Sequence, residues 1–167
     1  MPGISAVLEQ ARVGLPRITA AELRARQAAG AWVIDLRPWE VRRFTGHIPG
    51  AVVIDRLVLE WRLDPSGSHR MLPGPALDDE IYLVCNEGFA SSLAARDLQA
   101  LGFTRAGDVI DGFAGWCRAG LPTTPEPTRL ALIADTYEPV ATLALVGRAC
   151  RDPDRGRRID ALGMVRH

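Results

Sequence analysis

The sequence has few cysteines, and their arrangement excludes two kinds of structural site. Only three occur in 167 residues, at Cys85, Cys117 and Cys150. Their number is odd, and their spacing fits neither a set of zinc ligands nor a disulfide framework. We therefore expect a protein of a reducing compartment, the cytoplasm, without a structural metal site.

An excess of charge of either sign is also missing. The 20 basic residues balance the 20 acidic ones, and because lysine is absent every basic residue is an arginine. A nucleic-acid surface needs a basic excess, so we expect no nucleic-acid partner. The all-arginine composition is read as coding bias and not as a sign of function.

Long apolar runs are absent too. No stretch is long enough to cross a membrane, and residues 1–5 have neither the basic region nor the apolar core of a signal peptide. We expect no membrane association and no secretion signal. With 47% hydrophobic and 24% charged residues, the composition is typical of a soluble globular protein, long enough for one domain and an extension.

Strand and helix patterns alternate along most of the chain. Short apolar runs that indicate buried parallel strands occupy residues 17–18, 31–35, 51–54, 81–84 and 106–110. Helical patterns lie between or after them, at residues 19–29, 38–44, 55–64, 91–102 and 112–120. This alternation predicts an α/β fold with a mostly parallel sheet covered by helices on both faces.

The alternating segment defines the domain boundaries. We predict an N-terminal helical extension at residues 1–16, a main domain at 17–122, and a linker with a C-terminal tail at 123–167. Residues 65–80 are rich in Pro, Gly and Asp and are predicted to be loop. For the tail, one or two packed helices and a loosely held segment both remain open.

One cysteine lies where an α/β sheet usually keeps its ligand site. Cys85 follows the apolar strand at 81–84 and precedes a short loop and a helix. Backbone N–H groups of such a loop and the helix dipole both favour a thiolate, which is the nucleophilic form. Gly88 supplies the freedom that a tight loop needs, and Ser91 is expected to cap the helix. The alternative is a small buried hydrophobic residue without reactivity.

Several motifs, in order, resemble the rhodanese (sulfurtransferase) family. The first is Asp35-Leu36-Arg37 followed by the glycine-rich turn 46–51, which resembles the N-terminal signature of that family. The segment 85–91, with cysteine first and glycine three positions later, resembles its active-site loop. Residues 111–116 and 119–122 resemble its C-terminal signature. The resemblance covers about residues 17–122 and points to small single-domain bacterial members.

The resemblance implies a rhodanese-like α/β fold with a five-stranded parallel sheet flanked by helices on both faces. It also implies that the Cys85 thiolate takes a sulfane sulfur from a thiosulfate- or persulfide-type donor and passes it to a thiophilic acceptor. The loop residues that would bind the substrate are Asn86, Glu87, Gly88, Phe89, Ala90 and Ser91. Asp35, Arg37 and Arg62 are candidate supporting residues.

The resemblance further implies catalysis without a metal or organic cofactor. The expected partner is a small sulfur-containing substrate or a persulfidated protein, and the oligomeric state stays open. Two alternative functions also stay open. One is a persulfide- or redox-sensing module that does not turn over, and the other is a silent interaction domain on the same fold.

The loop departs from many family members that favour thiosulfate, because it holds no basic residue. Glu87 places a carboxylate there, and its repulsion of an anionic donor is worth about 1 kcal/mol at contact in water. We therefore expect weak activity with thiosulfate and better activity with a persulfide. Arg37 or Arg62 could supply the missing charge. For Arg37 a structural ion pair is the favoured interpretation, and for Arg62 both roles stay open.

The related phosphatase chemistry is not expected. It needs an arginine near the end of the loop to bind phosphate through two hydrogen bonds, and Ala90 and Ser91 occupy those positions. Among the remaining polar residues, His47 is assigned a structural role in its turn, and Cys117 is expected to be in the core or half-buried on the last helix. Cys150 could act as a resolving thiol if the tail reaches the loop.

Overall fold

The computed structural model describes residues 3–129 and the backbone of a strand at Leu132–Ile133. The predictions about Cys150 and about helices in the tail concern residues outside the described part of the chain.

The described residues form helices and strands in the predicted alternation. The helices are α1 (Ile4–Arg12), α2 (Ala20–Ala28), α3 (Trp39–Thr45), α4 (Leu59–Leu63), α5 (Ala90–Leu101) and α6 (Gly112–Arg118). The strands are β1 (Arg17–Ile18), β2 (Trp32–Asp35), β3 (Val52–Val53), β4 (Met71–Leu72), β5 (Ile81–Val84), β6 (Ala106–Val109) and β7 (Leu132–Ile133).

Five of these strands build one parallel sheet, as the sequence predicts. Their order is β1-β6-β5-β2-β3, and every neighbouring pair is parallel. The central strand β5 pairs with β2 on one side, with Asp35 opposite Val84, and with β6 on the other, with Leu83 opposite Asp108. Because parallel strands end at the same edge, Cys85 lies at the edge where the loops after β2 and β6 also begin.

The hydrophobic core lies on both faces of this sheet. Side chains of β5 alternate: Ile81 and Leu83 pack in one core cluster, and Tyr82 and Val84 pack in the other. The first cluster also contains Leu98 and other apolar residues of α5. The second cluster contains residues of α2 and α6. Strands buried on both faces explain why the sequence shows continuous apolar runs.

Two parts of the chain differ from the sequence prediction. Residues 55–64 do not form one helix, because a 3₁₀ turn at Arg56–Val58 precedes the short helix α4. The segment 65–80 is not all loop, because β4 pairs with β7 in a two-stranded antiparallel sheet, with Met71 opposite Ile133. The partner strand lies about 60 residues away, and local sequence patterns do not reveal such a pairing.

Within the described part of the chain, no helix is both long and apolar enough to cross a membrane.

Candidate active site

The sulfur of Cys85 faces polar groups of the loop that follows β5. The backbone N–H of Gly88 donates to Sγ at 3.2 Å, and the Ser91 hydroxyl lies 3.2 Å from the same atom. Cys85 keeps 9% of its surface exposed, whereas Val84 before it is fully buried. Cys85 is thus nearly buried, and its sulfur contacts polar groups of the loop and is not enclosed by apolar side chains alone.

Two glycines with positive φ allow the loop to close around the sulfur. A Cβ on Gly88, at φ +78, would lie 2.8 Å from the carbonyl oxygen of Val109. A Cβ on Gly112, at φ +52, would lie 2.3 Å from the carbonyl oxygen of Cys85 and 2.8 Å from the Gly88 nitrogen. The start of α6 thus packs directly against the loop, and Phe113 N–H donates to the Cys85 carbonyl at 2.9 Å. No side chain larger than hydrogen fits at either position.

Ser91 does not cap α5, contrary to the sequence prediction. The helix begins at Ala90 with Phe89 at the N-cap position, and no side chain there accepts a backbone hydrogen bond. Ser91 is instead fully buried, with its hydroxyl on the Cys85 sulfur. The side chain turns inward, so it cannot accept from the N–H groups of its own first turn. A helix start without a side-chain cap leaves N–H groups for a ligand.

A buried carboxylate beneath the loop was not predicted from the sequence. Asp108 at the end of β6 is fully buried and accepts from the Ser92 hydroxyl at 2.6 Å. Arg17 from β1 neutralises it, with Nε 2.7 Å from Oδ1. The Ser91 hydroxyl lies 3.4 Å from the same carboxylate and so links it to the sulfur. The sequence carries no local sign of this network, because its members come from three separate elements.

A second arginine outside the predicted set contacts the loop directly. Arg12, the last residue of α1, donates from Nη2 to the Gly88 carbonyl at 2.7 Å. Its Nε donates to the Ser92 hydroxyl at 3.1 Å. Arg17 Nη2 donates to the same Gly88 carbonyl at 3.4 Å. Two guanidinium groups therefore lie behind the loop, although the loop itself holds no basic residue.

Asp35 and Arg37, the candidate supporting residues after β2, form a buried ion pair. Arg37 is 1% exposed, and its Nη2 lies 2.7 Å from Asp35 Oδ2. Its remaining donors reach the Thr45 hydroxyl and the Gly46 carbonyl, both at 2.9 Å. The guanidinium also lies 3.4 Å from the centroid of the Phe113 ring. The side chain is fully engaged inside the domain, which corresponds to the structural alternative considered for it.

Arg62 also has a partner elsewhere. It lies on α4 and donates from Nη1 to the His69 carbonyl at 2.8 Å. No contact among the described residues joins it to the loop of Cys85. The structure therefore brings Cys85 together with Gly88 and Ser91 from the predicted set, and adds Arg12, Arg17, Ser92 and Asp108.

The other predicted loop residues lie on the surface. Asn86, Glu87 and Ala90 are exposed, and Phe89 is 54% exposed. The Asn86 carbonyl accepts from Ala114 N–H at 3.0 Å, which fixes the backbone while leaving the side chain free to solvent. The loop therefore exposes the Glu87 carboxylate and the Phe89 ring to solvent, two and four positions after Cys85.

His47, assigned a structural role from the sequence, is buried in the turn before β3. It is 5% exposed, and its Nδ1 has no hydrogen-bond partner among the described residues. Burial, together with the positive charge of Arg42, lowers the pKa of His47 from its ordinary value. Its backbone pairs with Thr124 through hydrogen bonds of 2.8 and 2.9 Å. Cys117, expected from the sequence to be in the core or half-buried, is instead exposed, because it lies on the solvent side of α6 next to the buried Trp116.

Within the described residues, no group of three or more His, Cys, Asp or Glu side chains is arranged to hold a metal ion.

The sequence also matches the model of a known family. Residues 19–119 match the family described as Rhodanese-like domain. The chain belongs to this family. The matched segment begins after α1 and β1, so Arg12 and Arg17 lie outside it.

Relatives of this rhodanese-like domain include proteins named for sulfur transfer. It is 40% identical over 99 residues to thiosulfate sulfurtransferase 16, chloroplastic, of Arabidopsis thaliana, covering 57% of this chain and 81% of that protein. It is 36% identical over 90 residues to the adenylyltransferase and sulfurtransferase UBA4 of Candida albicans. That match covers 50% of this chain but only 19% of the Candida protein, so the chain spans a small part of that longer relative.

Solved structures share the fold. The human single-domain sulfurtransferase TSTD1 is similar with a TM-score of 0.51 and 28% identity, covering 62% of this chain and 96% of that one. A protein of unknown function from Rhodopseudomonas palustris, described as a possible tyrosine phosphatase, has a TM-score of 0.63 and 27% identity. That match covers 74% of this chain and 95% of the Rhodopseudomonas protein. These similarities agree with the five-stranded parallel sheet.

Proposed function

We propose that this protein is a sulfurtransferase that carries a sulfane sulfur as a persulfide on Cys85. The observation that carries the proposal is the pair of 3.2 Å contacts that the Cys85 sulfur makes with Gly88 N–H and the Ser91 hydroxyl. Hydrogen-bond donors placed around a sulfur stabilise its anionic form. The family and the names of its relatives support the same chemistry.

The reaction follows from thiolate chemistry. In the first step the Cys85 thiolate attacks the outer sulfur of a donor such as thiosulfate. A new S–S bond forms, the S–S bond of the donor breaks, and sulfite leaves with the electron pair. In the second step an acceptor such as cyanide or a thiolate attacks the terminal sulfur, and the Cys85 thiolate leaves. No proton is gained or lost when thiosulfate and cyanide are the substrates.

Residues of the loop have distinct tasks in this scheme. Gly88 N–H and the Ser91 hydroxyl stabilise the negative charge on the Cys85 sulfur between the two steps. The start of α5 has no side-chain cap, and in this proposal backbone N–H groups there would bind the transferred sulfur. Glu87 at the surface disfavours a small dianion, and we therefore propose a persulfide as the better donor. We place this activity in a reducing cytoplasm, where a free thiol persists.

Phosphoryl transfer is the chemistry suggested by the description of the Rhodopseudomonas neighbour. It requires an arginine that binds phosphate through two hydrogen bonds inside the loop. Ser91 stands near the end of this loop, and the guanidinium of Arg12 donates to the Gly88 carbonyl from behind. The arrangement favours sulfur transfer over phosphoryl transfer.

The test is a sulfur-transfer assay with the full chain. The protein is mixed with thiosulfate or glutathione persulfide as donor and cyanide as acceptor, and thiocyanate is followed over time. Intact mass spectrometry then asks whether one sulfur atom is added to Cys85. We expect steady thiocyanate release with the persulfide donor and a slower rate with thiosulfate.

The variants Cys85→Ser and Cys117→Ser form a matched pair, because each removes one thiol. We expect C85S to lower thiocyanate release to the uncatalysed rate, while C117S keeps the rate of the unmodified protein. A single stoichiometric persulfide on Cys85 without turnover would support the sensing module instead. Activity that survives in C85S would contradict the proposal.

A further inference from the structure

The helix α1 precedes the segment that matches the family model, yet it reaches the loop of Cys85. It spans Ile4–Arg12 and packs against α5, the helix that follows the loop. Ala11 is buried in this contact, while Arg12 at the end of the helix is half-buried. The helix thus delivers a cationic side chain to the rear of the loop.

Arg12 holds the loop at three points. Nη2 donates to the Gly88 carbonyl at 2.7 Å, and Nε donates to the Ser92 hydroxyl at 3.1 Å. The guanidinium also lies 5.7 Å from the centroid of the Phe89 ring, within the range of a cation–π contact. Each contact is made to a residue between the cysteine and the first turn of α5.

The hydrogen bond to the Gly88 carbonyl fixes the orientation of a peptide unit. A trans peptide is planar, so the carbonyl of Gly88 and the N–H of Phe89 point in opposite directions. When Arg12 holds the carbonyl toward α1, the Phe89 N–H is directed away from α1. The preceding N–H, that of Gly88, already contacts the Cys85 sulfur. The Ser92 hydroxyl at 3.1 Å and Arg17 Nη2 at 3.4 Å also reach the Gly88 carbonyl. Loss of Arg12 would remove the shortest of these three contacts and so loosen the two peptide units on either side of Gly88, which has no Cβ to restrict rotation.

Among the described residues, Arg12 forms no ion pair with a carboxylate. Arg17 forms the ion pair with Asp108, whereas within residues 3–129 no carboxylate lies at salt-bridge distance from Arg12. Arg12 Nη2 lies 2.7 Å from the Gly88 carbonyl oxygen, and the Gly88 nitrogen lies 3.2 Å from the Cys85 sulfur. Because only the backbone of Gly88 separates these two contacts, the guanidinium is within about 10 Å of the sulfur. At this distance a unit charge is felt at low ionic strength and is screened by salt.

We propose that Arg12 is a positioning residue that orients the Gly88–Phe89 peptide and supplies the positive charge that the loop lacks. The proposal deepens the sulfurtransferase function above and rests on it for its biological meaning. It assigns to α1 a role in the active site, where an anionic donor or a Cys85 persulfide would be stabilised by a charge from outside the matched domain.

A charge-sensitive labelling experiment tests this without using sulfur transfer. The rate of Cys85 alkylation is measured with iodoacetate, an anion, and with iodoacetamide, its neutral analogue, at one pH and low salt. C117S serves as the parent chain, and peptide mass spectrometry identifies alkylated Cys85. We expect Arg12→Gln to lower the iodoacetate-to-iodoacetamide rate ratio about threefold. Arg12→Lys, which keeps the charge, should retain the ratio.

Control variants separate charge from structure. Arg24→Gln removes an exposed arginine from α2, whose buried residues pack on the other face of the sheet, and should leave the ratio unchanged. High salt should reduce the difference between Arg12→Gln and the parent. A change that is merely structural would move both alkylation rates together and would not respond to salt.

Hydrogen exchange of the loop amides tests the positioning role. We expect faster exchange at Gly88 in Arg12→Gln and also in Arg12→Lys, because the two-point contact to Gly88 and Ser92 is lost in both. Circular dichroism identifies any variant that does not fold, and Arg12→Lys then gives the positioning result alone. An unchanged rate ratio in folded Arg12→Gln, together with unchanged exchange, would overturn the proposal.

These experiments distinguish failure of the positioning role of Arg12 from failure of the proposed sulfurtransferase function. If the parent transfers no sulfur yet Arg12→Gln shows the lowered ratio and faster exchange, the positioning role stands and the sulfurtransferase assignment fails. If the parent transfers sulfur and Arg12→Gln changes neither readout, the sulfurtransferase assignment stands and the positioning role fails.

Discussion

At the scale of single residues, Ser91 and Ser92 are neighbours in the chain with different tasks. Ser91 contacts the Cys85 sulfur, whereas Ser92 bonds the Asp108 carboxylate and the Gly88 carbonyl. Both are fully buried, so each hydroxyl must find its partner inside the protein. Both hydroxyls lie at the start of α5 and reach the Asp108 carboxylate, and that of Ser91 also reaches the Cys85 sulfur.

Glu87 is the residue at which donor choice can be altered. Its exposed carboxylate lies two positions after the cysteine and repels an anionic donor. We expect Glu87→Arg to raise kcat/KM for thiosulfate about fivefold, chiefly through a lower KM, since solvent screens part of the interaction. The measurement is thiocyanate formation over a range of thiosulfate concentrations.

The matched control for this variant is Asp78→Arg. Asp78 is exposed in the loop before β5, at the opposite edge of the sheet from Cys85, and the substitution changes the net charge equally. We expect it to leave KM unchanged. An unchanged or lower rate in E87R would show that Glu87 does not limit the use of thiosulfate.

At the scale of elements, the helices differ in whether a side chain caps the first turn. The start of α2 has a complete capping box: Glu22 N–H donates to the Thr19 hydroxyl, and Thr19 N–H donates to the Glu22 carboxylate at 2.7 Å. The hydrogen bonds that the Glu22 carboxylate accepts from the Thr19 N–H and the Thr19 hydroxyl lower the pKa of Glu22. The start of α5, by contrast, has no side-chain cap. Because α1, α3, α4 and α6 also start without a side-chain cap, α5 is distinguished by its position after the loop of Cys85 and not by the missing cap.

The capping box leads to a stability prediction. Thr19→Ala removes the hydroxyl that accepts from Glu22 N–H, so we expect the free energy of unfolding to fall by about 1 kcal/mol. Urea denaturation followed by circular dichroism measures the change. Thr19→Ser keeps a capping hydroxyl and should stay close to the unmodified protein. Equal losses in both variants would mean that the hydroxyl is not the source of the stability.

At the scale of the whole molecule, residues after α6 return to the main sheet. Thr124 pairs with the backbone of His47, and Gly50 N–H donates to the Thr128 hydroxyl at 2.6 Å. Arg129 lies 3.9 Å from the centroid of the Trp32 ring. This segment lies within the predicted linker, so part of that linker contacts the domain. His47 is buried at this contact.

The buried His47 predicts how stability depends on pH. Burial and the charge of Arg42, followed by that of Arg37, lower its pKa below the ordinary 6.5, while Asp35 and Glu126 act in the opposite direction. The unfolded chain therefore binds a proton at His47 at a higher pH than the folded chain does. The contribution of neutral His47 to the free energy of unfolding is therefore complete above pH 6.5. It declines as the pH falls from 6.5 toward the pKa of His47 in the folded protein.

Urea denaturation at about pH 7.5 and about pH 5.5 tests this expectation. His47→Gln should remove part of the loss on the acidic side, because glutamine does not titrate. His69→Gln, which removes an exposed imidazole from the loop after α4, serves as the comparison. If H47Q loses as much stability on acidification as the unmodified protein, His47 is not responsible for the pH dependence.

Much of the fold could be predicted from local patterns. Apolar runs indicated β2, β3 and β5, because strands buried on both faces need apolar side chains in succession. The apolar pattern is weaker in β1, which contains Arg17, and in β6, which contains Asp108. The pairing of β4 with β7 could not be predicted, because each strand has two residues and pairs with a distant segment.

The candidate site divides in the same way. A cysteine after a strand, a glycine three positions on and a following helix are neighbours in the chain, so the sequence alone determined the loop and the cysteine that we propose as the sulfur carrier. Only the tertiary structure decided what lies behind the loop. Arg12, Arg17 and Asp108 come from three elements, and their contacts with Gly88, Ser91 and Ser92 exist because the sheet and α1 bring distant residues together. A hydrogen bond depends on distance and direction in space, and local sequence does not encode either one for residues so far apart.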